Sequence, residues 1–168
     1  MSSAASCAQA QPAADSGQYL TFELAGQHYG VDILAVQEIK GWEKPTRLPH
    51  CPDYVQGVIN LRGAVVPIID LRARFGLGAS QHGRTTVVIV VRIESARAAS
   101  TAGLVVDGVC EVCSLGAEQL RAPPEFGPAI DAQFVRGLAT LADRLLVLLD
   151  VPRLIAATLA EPLTPRAA

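Results

Sequence analysis

The chain has 168 residues, with 14 basic and 16 acidic side chains, half of its residues apolar and only 5% aromatic. That length buries a core as one domain or as two small intimate ones, and with so few rings Val, Leu, Ile and Ala must build it. The balanced charge supplies neither a basic stripe for phosphates nor a polybasic anchor, so nucleic-acid binding and direct membrane insertion are not expected.

Residues 1–17, MSSAASCAQAQPAADSG, lack the basic-then-apolar plan of a signal peptide and read as a disordered polar tail. No apolar run reaches the roughly 18–20 residues that span a bilayer. The expected location is the cytoplasm, where the four cysteines are not expected to form disulfides. QYLTFELAG sets Leu20, Phe22 and Leu24 on one face, a period-2 strand. A turn at Gly26-Gln27 leads into HYGVDIL as the second strand of a hairpin. From Asp53 to Ile59, Tyr54, Val55, Val58 and Ile59 share a helical face, with Pro52 near the start, so a buried helix is predicted. Residues 64–71 read as a strand whose Pro67 belongs at an edge or a bulge. Gly76 to Gly83 is a connector, and TTVVIVVRI is the strongest strand. The ESARAAST loop precedes LVVDGVCEVCSL, read as one strand. RAPPEFGPA is an irregular loop, RLLVLLDV a buried strand, and PRLIAATLA a closing helix with Pro152 in its first turn.

The two halves echo each other. Gly30 precedes Glu38 by the same eight residues that separate Gly103 from Glu111, with Val36 and Val109 in matching places. Gly57 precedes Asp70, and Gly137 precedes Asp150, by thirteen residues each. The order predicts a duplicated β unit and two similar small barrels, since short strands manage their edges by closing.

Cys110 and Cys113 spell C-x-x-C, which raises zinc and redox readings. In a strand, residues three apart face opposite ways, and no second C-x-x-C follows, so two packed thiols and no metal are expected. Metal analysis of the purified protein separates these. His28, His50 and His82 lie in turn-like regions without a nucleophile or carboxylate constellation, and no phosphate-binding glycine loop is present. No catalysis and no cofactor are expected. The charge that asks for a reason is Arg62 in NLRGAVVPIID, between the predicted helix and an apolar strand. It either caps or pairs within the fold, or it serves an interface.

YLTFELAGQHYGVDILAVQEI, TRLPHCPDYVQGVINLRGAVVPIIDLRARFG, TTVVIVV, GLVVDGVCEV and LLVLLDV together resemble the CheW coupling proteins of bacterial chemotaxis over about residues 18–160. GVINLRGAVVPIIDL is the most specific of these segments. The resemblance implies a mainly β fold of two intimately packed SH3-like five-stranded barrels with a few short helices. The barrel halves are expected at about 18–82 and 83–160, with strands free to exchange, and 161–168 as a tail. It also implies a non-enzymatic adaptor between a CheA-type histidine kinase and the cytoplasmic tips of methyl-accepting chemoreceptors, located at the membrane-associated array through those partners. Further CheW-like domains are possible partners in rings. The related fusions to a kinase or a receiver domain do not fit this length, so a stand-alone protein is expected.

By the same resemblance, Arg62 and Gly63 match the family's receptor-binding N-L-R-G motif. Ile33, Val36 and Glu38 fall in the stretch used at the receptor groove, with Gly57, Val87, Gly103 and Val109. Glu38 is expected to orient Arg62 while Ile33 and Val36 supply apolar surface. Arg121 and Phe126 match contacts between kinase and adaptor, or between adaptors in a ring. For each aliphatic residue ordinary packing is the competing reading. Relatives of this family also serve twitching motility and diguanylate cyclase control, and the residues do not separate those circuits.

Overall fold

The computed structural model describes residues 17–49, 52–77, 82–94, 99–121, 134–141 and 143–160. Ten strands run in chain order: β1 (Gly17–Leu24), β2 (Gln27–Asp32), β3 (Val36–Gly41), β4 (Val55–Leu61), β5 (Ala64–Asp70), β6 (Val87–Glu94), β7 (Ala99–Val106), β8 (Gly108–Leu115), β9 (Val135–Leu141) and β10 (Arg144–Leu149). Helix α1 (Leu71–Arg74) follows β5 and helix α2 (Val151–Ala160) follows β10. One five-stranded sheet has the order β8-β1-β2-β10-β9 and the other β3-β6-β7-β5-β4. These are the two SH3-like barrels of a mainly β fold.

The second sheet follows from the first when every strand number advances by five, so the duplication is written into the topology. Each barrel takes two strands from one repeat and three from the other. Matching residues do matching work. Gly30 and Gly103 sit on strands joined in parallel to β10 and β5, opposite Leu148 and Ile68. Asp70 and Asp150 each donate a backbone N–H to a residue just before the glycine-led strand, Tyr54 and Phe134, at 2.6 and 2.7 Å. Their carboxylates then accept from the first-turn amides of α1 and α2, which explains why each of these strands ends in Asp before a helix. Arg74 lies between the two paired aromatics, 4.7 Å from the Tyr54 ring and 4.6 Å from that of Phe134.

The strands that are apolar on both faces owe this to three cores. Val88 and Val90 of β6 fill the interior of the second barrel with Ile59, Val66, Ile68 and Val105. Leu146 and Leu148 of β10 fill the first with Tyr19, Leu115 and Ala139. The alternate residues, Ile89, Val91, Val147 and Leu149, meet between the sheets in the largest cluster, with Phe22, Tyr29, Leu104 and the α2 residues Leu154 and Ile155. Each such side chain contributes roughly 1.5–3 kcal/mol, so the shared layer binds the barrels into one unit.

Four sequence expectations change. The predicted helix over Asp53–Ile59 is strand β4, buried at Val55, Gly57 and Ile59 on period 2. Its helical look came from a bulge at Gln56, where the register with β5 slips and Gly57 takes φ +143°. LVVDGVCEVCSL is two strands in different sheets, parted at Asp107. That carboxylate accepts from Ala25 N at 2.8 Å and pairs with Arg72 at 3.1 Å, which fixes the crossing point. HYGVDIL stops at Asp32, whose Oδ1 accepts from Leu34 N and turns Ile33–Ala35 into a 3₁₀ turn. Strand β5 is internal, yet its ladder with β7 begins at Ile68, so Pro67 lies just outside that pairing.

Candidate protein-interaction site

Both two-residue hairpins of the first repeat place consecutive residues at positive φ, Ala25-Gly26 and Arg62-Gly63, the geometry that matches the twist of paired strands. Arg62 therefore sits at the tip between β4 and β5 with φ +53°, and Gly63 follows at +89°. Asn60 Oδ1 accepts from Gly63 N at 2.8 Å and tightens the turn. The arginine caps no helix, since none precedes it. Its side chain is 74% exposed, and Nη1 lies 3.0 Å from Oε2 of Glu38, which is 23% exposed. Oε2 is itself buried and no donor is aligned on it, so this contact is an ion pair without hydrogen-bond geometry.

The pair also joins the two edges of one sheet. Glu38 is on β3 and Arg62 follows β4, the outermost strands of that sheet. The indole of Trp42, just after β3, closes the same seam by packing against the second barrel's core and donating to Gln56 Oε1 at 3.1 Å.

Val36 and Glu38, two residues apart, would share a face on a regular strand. A bulge at Gln37 separates them: Val36 pairs with Val91 and Glu38 with Val90, whose side chains enter different cores. Val36 joins Ile33, Val87 and Val109 as half-buried residues against the shared core, whereas Glu38 faces the mouth of the second barrel. Because β3 is an edge strand, both faces come to one rim. Val36 pairs with Val91 of β6, four residues or about 13 Å along that strand from Val87.

Gly57 packs against the Thr46 backbone and Gly103 against the interior of the second barrel. Thr46 exchanges two 2.8 Å backbone bonds with Val58, and a Cβ on Gly57 would strike the Thr46 carbonyl. A Cβ on Gly103 would meet Ile68 and Val88 side chains at 2.7 Å. Arg121 is exposed and exchanges two 2.8 Å backbone bonds with Leu138, as Thr46 does with Val58 in the first repeat. Phe126 lies outside the described residues. Leu34, missed in the sequence, is 90% exposed beside Ile33 and Ala35. The cue was Asp32, an N-cap residue in what reads as a strand.

Cys110 and Cys113 are both on β8. The expectation of two packed thiols holds only for Cys113, which packs against the first barrel's core, because Cys110 is exposed at a cavity of about 210 Å³ with Thr21, His28, Glu111 and Arg144. Burial pushes both thiols above their ordinary range, assisted by Glu23 at Cys110 and by Glu111 at both. Among the described residues no three His, Cys, Asp or Glu side chains group as a metal site would require. No helix among them is long and apolar enough to cross a membrane.

Two interleaved barrels that present an exposed ion pair and an apolar rim at an edge strand define a scaffold-type domain. Residues 18–159 match the model of the CheW-like domain family. The chemotaxis protein CheW of Klebsiella aerogenes is 44% identical over 138 residues, covering 82% of this chain and 81% of that protein. A probable chemotaxis protein CheW of Rhizobium etli is 35% identical, covering 86% and 90%. The crystal structure of the scaffolding protein TtCheW from Thermoanaerobacter tengcongensis superposes with a TM-score of 0.74 at 33% identity, covering 85% of this chain and 88% of that one. The chain belongs to the CheW-like family of chemotaxis scaffold proteins.

Proposed function

We propose that this chain is a non-enzymatic coupling protein that holds a CheA-type histidine kinase against the cytoplasmic tips of methyl-accepting chemoreceptors, and so resides in the cytoplasm at the receptor array. The observation that carries the receptor surface is Arg62. A left-handed conformation costs a non-glycine residue about 1–2 kcal/mol, and an exposed ion pair returns roughly 0–1 kcal/mol. Stability alone does not explain an arginine there. Ala25 holds the same conformation without a charge; what marks Arg62 is a long cation displayed over a carboxylate at the end of an apolar rim. A receptor helix laid along β3 would meet Ile33, Val36, Val87 and Val109 with its apolar stripe and Arg62 with an acidic or carbonyl group. Arg121 and Phe126 are the proposed contacts to kinase or to a further CheW-like domain in a ring.

The test is co-sedimentation of the purified chain with a receptor cytoplasmic fragment and, separately, with the kinase. Arg62→Glu and Glu38→Arg should each cut receptor capture about tenfold or more and leave kinase capture and the circular dichroism spectrum unchanged. Phe126→Ala should weaken kinase capture and ring assembly while sparing the receptor. Unchanged receptor capture in both charge variants overturns the assignment of this surface.

A further inference from the structure

The segment leading into β6 ends against the seam of the second barrel. His82 stacks on Trp42 with ring centroids 3.9 Å apart and planes inclined by 10°. Trp42 Nε1 lies 3.1 Å from Gln56 Oε1, and Gln56 Nε2 lies 3.3 Å from Asp70 Oδ2 and 3.0 Å from His82 Nε2. An indole N–H can only donate, and an ionised carboxylate can only accept. The Gln56 amide therefore has one orientation, with its NH₂ toward both Asp70 and His82. Nε2 of His82 must then accept, which puts the ring proton on Nδ1 and keeps the imidazole neutral. A proton added at Nε2 would set two donors facing each other.

Gln56 is on β4 and Trp42 follows β3, so the network spans the same two edge strands that carry Arg62 and Glu38. We propose that His82 is a proton-sensitive clamp on this seam. The neutral ring holds the indole and the amide together, and protonation removes its bond to Gln56 and releases it from Trp42. The charged groups around it are Lys44 and Arg47 from the segment after Trp42, Asp53 from the loop before β4, and Asp70 from the end of β5. Two cations oppose a further positive charge there, and two carboxylates and the indole face favour one; what protonation removes is the acceptor that Gln56 Nε2 requires. The clamp stands without any partner. Its consequence for receptor binding, a looser seam beside Glu38, rests on the coupling reading.

Trp42 is the only tryptophan of the chain, so its emission reports the clamp directly in the full-length protein. Between pH 8 and pH 5, where an ordinary imidazole changes charge, the wild-type emission maximum should move reversibly to the red. His82→Phe keeps a ring over the indole and cannot be protonated, so its maximum should stay fixed. A wild-type protein that shows no red shift, or only quenching at constant wavelength, overturns the proposal. So does an equal shift in His82→Phe.

Discussion

Arg62 places a long cation where the hairpin would prefer asparagine, whose short polar side chain tolerates the left-handed region. Arg62→Asn alone would leave the buried Glu38 Oε2 without its counter-charge. Arg62→Asn combined with Glu38→Gln should therefore stabilise the fold by about 1 kcal/mol, a rise of roughly 2–4 °C in Tm for a domain of this size, while receptor capture falls. Calorimetry beside the capture assay checks both, and a stabilised variant with full capture would show that the charge is dispensable. The cysteines make a second prediction at this scale. Because burial raises both thiol pKa values, less thiolate is present at neutral pH than in an unfolded chain. Peptide-resolved alkylation at pH 7 should label Cys110 and Cys113 more slowly in the native than in the denatured protein. Raising the pH should quicken native labelling up to a higher midpoint than that of the denatured chain. Arg62 itself was legible as an anomaly in the sequence. Its place at an exposed tip was not, because the bulge at Gln56 disguised strand β4 as a helix.

Among the elements, the glycines of β4 and β7 carry the clearest difference between local and long-range causes. Gly57 takes a positive φ and admits the Thr46 backbone, which cannot retreat without breaking its two bonds to Val58. Gly103 makes room for the ends of the Ile68 and Val88 side chains, which can change rotamer. Gly57→Ala should accordingly cost more than about 3 kcal/mol and Gly103→Ala about 1–3 kcal/mol. Urea titrations of the two variants measure the order, and an equal loss would contradict it. Strand β1 was readable from its alternating apolar residues and β6 from its unbroken β-branched run, because both are local properties. Asp107 shows the opposite case. The adjacent Gly108 marks a break in the strand, but that the chain changes sheets there is fixed by Ala25 and Arg72, distant in sequence, which hold the Asp107 carboxylate.

For the molecule as a whole, strand exchange means that neither repeat contains a complete barrel. Fragments 1–82 and 83–168 should each be unfolded alone, and the intact chain should lose near- and far-UV circular dichroism in one transition. A fragment with native-like dispersion in its NMR spectrum would refute this. The repeated Gly-to-Glu and Gly-to-Asp spacings, the two-faced apolar strands and the N-L-R-G segment were all determined by sequence alone, since repeat spacing and burial pattern are written residue by residue. They were sufficient for the family, the barrel pair and the Arg62–Glu38 pairing. Only the tertiary structure decided which strands each barrel takes, that Val36 and Glu38 face different cores, and that His82 closes on Trp42. Those depend on register slips and on contacts between residues far apart in the chain, whose geometry no local pattern encodes.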